Sequence, residues 1–212
     1  MKEDFILVEC TISPNKKIIY KDMFAFANTT HKKLKSPKNL SVAIIGIDNM
    51  SRLNSIRQWK KTRNIVAEEL DWIELNGYTK VGTGTLPNLV AMTCGLSKMQ
   101  LEEKCWANRS VPFDKCPFIW KDFKSQGYTT VLGDDEPDLN HWNNNGGFVA
   151  EPADIYLRPW ARNAVTMIFH QKEGRMHFCS GTRKQTTLHF EFMKNFFTEY
   201  APEIFFFILA RQ

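Results

Sequence analysis

The chain has 212 residues, of which 43% are hydrophobic and 24% are charged, a composition typical of one globular domain or of part of one. Its formal net charge of +5 is spread along the sequence apart from short basic clusters at 32–35 and 60–63, which we interpret as solvated faces. No nucleic-acid-binding motif accompanies these clusters, so the sequence predicts no nucleic acid partner.

In chain order, the predicted elements begin with an N-terminal extension, residues 1–40, that carries short peripheral strands. From residue 41 onward, apolar runs of strand length alternate with segments of helical periodicity, which predicts a parallel α/β sheet with right-handed crossovers. The strands are expected at 42–47, 72–78, 128–132 and 204–209, the helices at 55–70, 86–94, 117–126, 157–170 and 188–200, and an irregular loop at 97–112. The first ten residues do not predict a signal peptide, and the apolar run near residue 209 is about half the roughly 20 residues of a membrane span.

The best candidate for a buried strand, 42–47, is followed directly by Asp48. An acid at the carboxyl end of a parallel strand points toward the crevice in which α/β proteins bind ligands, and its carboxylate is a ligand for zinc or for harder divalent cations. Arg52 comes shortly after and could hold a phosphate or sulfate oxygen. The alternatives are that Asp48 caps the next helix and that Arg52 forms a surface salt bridge.

The predicted helix 86–94 begins in a way that suits a nucleophile. Gly82 and Gly84 allow a tight backbone approach, Thr85 stands where an N-cap would stand, and Pro87 suits a first helical turn. The free amides and partial positive charge of the helix N-terminus would stabilise an anion held over Thr85. The alternative is an ordinary threonine cap.

Three acids, Asp134, Asp135 and Glu136, follow the predicted strand 128–132 and would reach the same crevice. They would either take part in a site or belong to a solvated loop. His141, a little further on, could line a substrate cleft or could be an ordinary loop histidine.

The five cysteines are an odd number, so at least one is expected to be unpaired. Cys105 and Cys116 bracket a short loop and would close a small ring if oxidised. Cys10 and Cys179 are possible partners, and Cys94 on the helix 86–94 is the candidate for the free thiol. None of the spacings is that of a zinc site.

Several motifs along the chain are jointly specific. They are Gly46-Ile-Asp-Asn-Met-Ser-Arg-Leu-Asn54, Gly77-Tyr-Thr-Lys-Val-Gly82, Thr85-Leu-Pro-Asn-Leu-Val90, Cys116-Pro-Phe-Ile-Trp120, Gly127-Tyr-Thr-Thr130 and Asp154-Ile-Tyr-Leu-Arg-Pro159. Over nearly its whole length the chain thereby resembles the DUF229 family, a sulfatase-like family of unknown function in the alkaline-phosphatase-like superfamily.

The resemblance implies an alkaline-phosphatase-like α/β fold, in which helices sandwich a parallel sheet, with Thr85 as the nucleophile. Asp48 and Thr85 would bind a divalent metal ion, zinc or calcium, and Thr85 in place of the cysteine of true sulfatases favours phosphoester over sulfate ester substrates. The anionic ester would contact Arg52, Asn88, Asp134, Asp135 and His141. The resemblance also implies an extracellular or secretory-pathway location.

Enzymes of this superfamily complete their metal site with a downstream Asp-His motif that this sequence does not contain. We therefore expect residues 41–212 to form the N-terminal half of such a domain, nearly inactive as given and unable to hold the metal stably. A truncated gene model, a splice form or a degenerate relative would each account for the missing motif. We also expect the strand at 204–209 to expose a hydrophobic edge that promotes aggregation. The alternative function is a non-enzymatic secreted binding protein or a vestigial one.

Overall fold

The computed structural model describes residues 5–26, 40–70, 72–135, 146–168, 170–173, 176–199 and 204–211. Within these ranges the chain is a mixed α/β protein, as the alternation of strands and helices predicts. The strands are β1 (Phe5–Ile12), β2 (Lys17–Ala25), β3 (Val42–Asp48), β4 (Thr129–Asp134), β5 (Ile155–Tyr156), β6 (His170–Glu173), β7 (Met176–Ser180), β8 (Arg183–Lys184) and β9 (Ile204–Arg211). The helices are α1 (Arg52–Gln58), α2 (Lys60–Glu69), α3 (Thr85–Cys94), α4 (Lys98–Lys104), α5 (Ile119–Ser125), α6 (Arg158–Met167) and α7 (Gln185–Glu199).

A four-stranded parallel sheet forms the centre of the fold, with the strand order β3-β9-β4-β5. The last strand, β9, pairs with β3 on one side and with β4 on the other. The expectation that the 204–209 segment leaves an open hydrophobic edge is therefore wrong, because both edges of β9 are bonded. The edges of the described sheet are β3 and β5.

Helices cover both faces of this sheet. Alternate residues along each strand point to opposite faces, so each strand contributes side chains to both helical layers. Leu132 of β4 and Phe207 of β9 pack with α3, α4 and α5 on one face. Val131 and Ile204, from the same two strands, pack with α6 and α7 on the other face. The resulting arrangement is three-layered, with a separate apolar core on each side of the sheet.

The core beneath α3 and α5 is built largely from aromatic rings. Trp120 stacks on Phe118 with the ring centroids 4.3 Å apart, and Phe113 stacks on Trp106 at 5.1 Å. Phe148 packs against three of these rings. This cluster fixes the position of α3, since Leu86, Leu89 and Val90 of that helix belong to the same core.

A disulfide between Cys105 and Cys116 closes the loop beside these rings, as the sequence predicts. Cys10, Cys94 and Cys179 are free thiols, so the suggested pairing of Cys10 with Cys179 is wrong and the expectation of a free Cys94 is confirmed. Cys10 is exposed on β1, a strand of the N-terminal hairpin rather than of the central sheet.

Removing this disulfide is expected to lower the free energy of unfolding by about 3 kcal/mol, because a loop of this length restricts the unfolded chain by roughly that amount. The double variant Cys105→Ser/Cys116→Ser should therefore unfold at a lower urea concentration than the parent. Cys10→Ser, which removes an exposed free thiol, is the matched control and should leave the midpoint unchanged. Equal midpoints for the double variant and the parent would show that the bond contributes no stability.

Three local expectations differ from the structure. The helix expected over 55–70 is interrupted at Trp59, where ψ is 42°; neither α1 nor α2 buries a residue, so tertiary packing does not select one straight helix. The strand expected at 72–78 is not formed: the N–H of Tyr78 bonds the Leu75 carbonyl in a turn at Asn76-Gly77.

The third difference is α4, which lies inside the segment expected to be an irregular loop. Its start is a capping box: the Ser97 hydroxyl accepts the Gln100 N–H, and the Gln100 side chain accepts the Ser97 N–H. The Ser-x-x-Gln spacing is a sequence signal for this motif, so the start of this helix could have been predicted from the sequence. None of the helices in the described ranges combines the length and the apolar character needed to cross a membrane.

Candidate functional site

Asp48 is the last residue of β3 and lies at the carboxyl edge of the central sheet, half-buried. The chain then turns through Asn49, whose φ of +62° is left-handed, a conformation that asparagine tolerates. The cap of α1 is Ser51, whose hydroxyl accepts the Asn54 N–H at 3.2 Å. Helix capping was the alternative role considered for Asp48, and Ser51 performs it instead.

Thr85 is the first residue of α3, and the N-cap position belongs to Gly84. The expectation that Thr85 is the cap is wrong by one residue, because Gly84 adopts a φ of +87° that a residue with a side chain rarely reaches. No side chain caps this helix. The hydroxyl of Thr85 is therefore directed elsewhere than to the backbone of its own first turn.

The Thr85 hydroxyl lies on the carboxylate of Asp48. Its Oγ1 donates to both carboxylate oxygens, at 3.3 Å from each, across a sequence separation of 37 residues. Both distances are longer than the roughly 2.7–2.8 Å most common for hydroxyl donors. The expected juxtaposition of Asp48 and Thr85 at one sheet edge is confirmed, while their chemical roles stay a prediction.

Asn88, one turn into α3, directs its side chain back over the loop that precedes the helix. Its Oδ1 accepts the Val81 N–H at 2.8 Å, and its Nδ2 donates to the carbonyls of Gly82 at 2.9 Å and Gly84 at 2.6 Å. Both amide hydrogens of Asn88 are engaged by the loop 81–84. The sequence did not indicate these bonds, because the loop has no capping signature.

Arg52 binds the segment 74–76 in this structure. Its Nε donates to Glu74 at 3.0 Å and its Nη2 to Asn76 at 3.3 Å, and Arg63 lies 3.6 Å from the same Glu74 oxygen. The hydrogen bond from Arg52 is the main influence that holds the pKa of the Glu74 carboxyl below its ordinary value. The alternative considered for Arg52, a surface salt bridge, is the interaction observed.

Asp134 and Asp135 lie at the same end of the sheet as Asp48 but two strands away. Asp134 aligns with Leu209 of β9, which aligns with Gly46 of β3, so at ordinary strand spacing its backbone is roughly 12 Å from that of Asp48. Both acids are buried, and the Thr186 hydroxyl donates to Asp135 at 2.8 Å. His141 lies outside the described residues.

Among the described residues, no group of three or more His, Cys, Asp or Glu side chains could hold a metal ion. The structure thus brings Asp48 and Thr85 together, holds Asn88 against the adjoining loop, and leaves Arg52 and the buried acids in other contacts. What the arrangement offers chemically is a hydroxyl at a helix N-terminus, hydrogen-bonded to one carboxylate.

A family model described as "Protein of unknown function (DUF229)" matches residues 1–212, the whole chain. Comparisons with curated proteins and with solved structures found no match.

Proposed function

The chain belongs to the DUF229 family, and on that premise we propose that it carries part of the site of a metal-dependent hydrolase or transferase of phospho- or sulfoesters. The observation that carries the proposal is the Thr85 hydroxyl, which caps no helix and instead contacts the Asp48 carboxylate. A hydroxyl nucleophile needs a group that activates it and an environment that accepts negative charge. The amides at the start of α3 supply the second requirement.

The spacing of the two side chains suits a shared divalent cation. Two oxygens bound to one ion at about 2.0–2.6 Å, with an angle of about 90–110° between them, lie about 3–4 Å apart. The 3.3 Å separation of the Thr85 and Asp48 oxygens falls within this range. Thr85 and Asp48 supply two ligands for the ion, whereas zinc binds about four. A stable site therefore needs ligands beyond those two.

In the proposed reaction, Thr85 Oγ1 forms a bond to the phosphorus or sulfur atom of the ester while the bond to the leaving oxygen breaks. The hydroxyl proton passes to solvent water, and the leaving oxygen departs with the electron pair of the broken bond and takes up a proton from water. Water or a second alcohol then attacks the threonine ester, releases the product and restores the hydroxyl. A divalent cation bound there would lower the pKa of the hydroxyl and neutralise charge on the substrate.

We assign the fold to the alkaline-phosphatase-like class, which the parallel sheet with helices on both faces supports. A threonine nucleophile favours phosphoester substrates. The disulfide between Cys105 and Cys116 supports an extracellular or secretory-pathway location, since such bonds persist in oxidising compartments.

The proposal is tested by following the hydrolysis of p-nitrophenyl phosphate and bis-p-nitrophenyl phosphate by the purified chain with zinc or calcium. We expect slow turnover, because two donors hold the ion weakly. Mass spectrometry should find a phosphoryl group on Thr85, and Thr85→Ala and Asp48→Asn should each reduce this labelling more than about a hundredfold. Thr166→Ala, which changes an exposed threonine of α6, is the matched control and should leave it unchanged.

Labelling or turnover that survives Thr85→Ala would exclude this residue as the nucleophile. The absence of any metal-dependent labelling would contradict the proposed ester hydrolase and would favour the alternative, a binding or vestigial protein.

A further inference from the structure

We propose that Asn88 is a positioning residue that clamps the loop 81–84 and thereby holds the Thr85 hydroxyl on Asp48. This inference rests on the proposed function, because it treats Thr85 as the reacting group. It gives Asn88 a role in the geometry of the nucleophile in place of direct contact with the substrate.

The clamp consists of three hydrogen bonds from one side chain. The acceptor oxygen of Asn88 takes the Val81 N–H, and its two amide hydrogens go to the Gly82 and Gly84 carbonyls, with distances between 2.6 and 2.9 Å. A carboxamide has two donor hydrogens, so neither is left for a ligand. The side chain thus links the rigid first turn of α3 to both ends of the loop.

The loop depends on such a clamp because its own residues give it little rigidity. Gly84 has φ of +87° and ψ of 174°, a region that only glycine occupies readily. A side chain at Gly82 would place its Cβ 2.9 Å from the Pro87 ring, so this position also has to stay glycine. Glycines lose the most conformational freedom on folding, and the Asn88 bonds counteract that freedom here.

The clamp acts on Thr85 through the backbone. The Gly84 carbonyl held by Asn88 belongs to the peptide unit that joins Gly84 to Thr85. Fixing this unit fixes the direction in which the Thr85 side chain leaves the helix. The bonds of Asn88 therefore determine whether the hydroxyl stays 3.3 Å from both Asp48 oxygens.

The test replaces the hydroxyl by a thiol and measures its electrostatic coupling to Asp48. In a Thr85→Cys background, the iodoacetamide alkylation rate of the introduced thiol is measured at neutral pH by peptide mass spectrometry, with and without Asp48→Asn. A neighbouring carboxylate disfavours the thiolate, so Asp48→Asn should accelerate alkylation about tenfold. With Asn88→Ala also present, we expect this acceleration to fall below about twofold.

Two further variants make the result specific. Asn88→Asp keeps the acceptor for the Val81 N–H but sets oxygens against the Gly82 and Gly84 carbonyls, so it should reduce the coupling as Asn88→Ala does. Asn163→Ala removes a comparable bond, from the Asn163 amide to the Pro159 carbonyl in α6, and should leave the tenfold acceleration intact.

Cys94, at the other end of α3, reports whether the helix itself remains folded. Burial raises the pKa of its thiol to about 11, so its alkylation at neutral pH stays slow while the helix is packed. We expect it to remain slow in all the variants. Rapid alkylation of Cys94 in both Asn88 variants would overturn the inference, because Asn88 would then support folding rather than position.

The remaining outcomes separate this inference from the proposed function. A tenfold acceleration that persists in Asn88→Ala would overturn the positioning role while leaving the Thr85–Asp48 pair in place. If Asp48→Asn fails to accelerate alkylation even with Asn88 intact, the pair itself is not formed, and the proposed function fails first.

Discussion

Replacing Trp120 by alanine is expected to lower the free energy of unfolding by about 3–5 kcal/mol, the usual cost of deleting a large buried aromatic side chain. Trp120 is 1% exposed and lies between Phe118, at a centroid distance of 4.3 Å, and Phe207 of β9, at 6.2 Å. It therefore joins the helical layer to the central strand. Urea denaturation followed by circular dichroism measures the loss.

Trp72→Ala is the matched control, because Trp72 is 38% exposed and its ring centroid lies 5.2 Å from the central carbon of the Arg63 guanidinium. We expect this variant to lose less than about 1 kcal/mol. Equal losses from Trp72→Ala and Trp120→Ala would contradict the packing described for the aromatic cluster. Because α3 belongs to the same core, Trp120→Ala should also disturb the contact between Thr85 and Asp48.

Replacing Arg183 by methionine is expected to cost about 3–5 kcal/mol, because it leaves a buried carboxylate without its counter-charge. Asp22 is 2% exposed, and Arg183 binds both of its oxygens, at 3.0 and 2.9 Å. This ion pair joins the N-terminal hairpin to β8. Thermal and urea denaturation of the single variant should both show the loss.

The double variant Asp22→Asn/Arg183→Met tests the cause of this effect. If the cost arises from the unpaired charge, the double variant should recover more than half of the stability lost by Arg183→Met. Lys98→Met is the matched control: its partner Glu102 lies on an exposed helix face, so the loss should stay below about 0.5 kcal/mol. No recovery in the double variant would show that lost packing, rather than charge, dominates.

Local sequence signals predicted the elements around the candidate site well. The glycines before Thr85 and the early Pro87 indicate the start of α3, and the apolar run before Asp48 indicates β3. These signals are local because capping and backbone conformation depend on neighbouring residues. The same signals predicted Thr85 as the N-cap, whereas the N-cap is Gly84, since they do not distinguish a threonine cap from a glycine cap.

Long-range pairing is what local sequence signals did not reveal. The apolar run 204–209 indicates a buried strand, but not that this strand inserts between β3 and β4, because strand order depends on the packing of the whole sheet. The bonds from Arg52 to Glu74 and Asn76 likewise join segments more than 20 residues apart. Local patterns therefore predict that Asp48 and Thr85 lie together, but they do not indicate which other side chains accompany the pair.

The insertion of β9 has a consequence for the time course of biosynthesis. Asp48 and Ile204 are separated by more than 150 residues, and translation at roughly 5–20 residues per second takes about 8–30 s to cover that distance. Throughout this interval the apolar strand β3 has emerged, while β9, the strand it pairs with, has not been synthesised. The carboxylate of the candidate site is thus carried by a strand that is made more than 150 residues before the strand it pairs with, and the nascent chain stays exposed to misassembly until β9 appears.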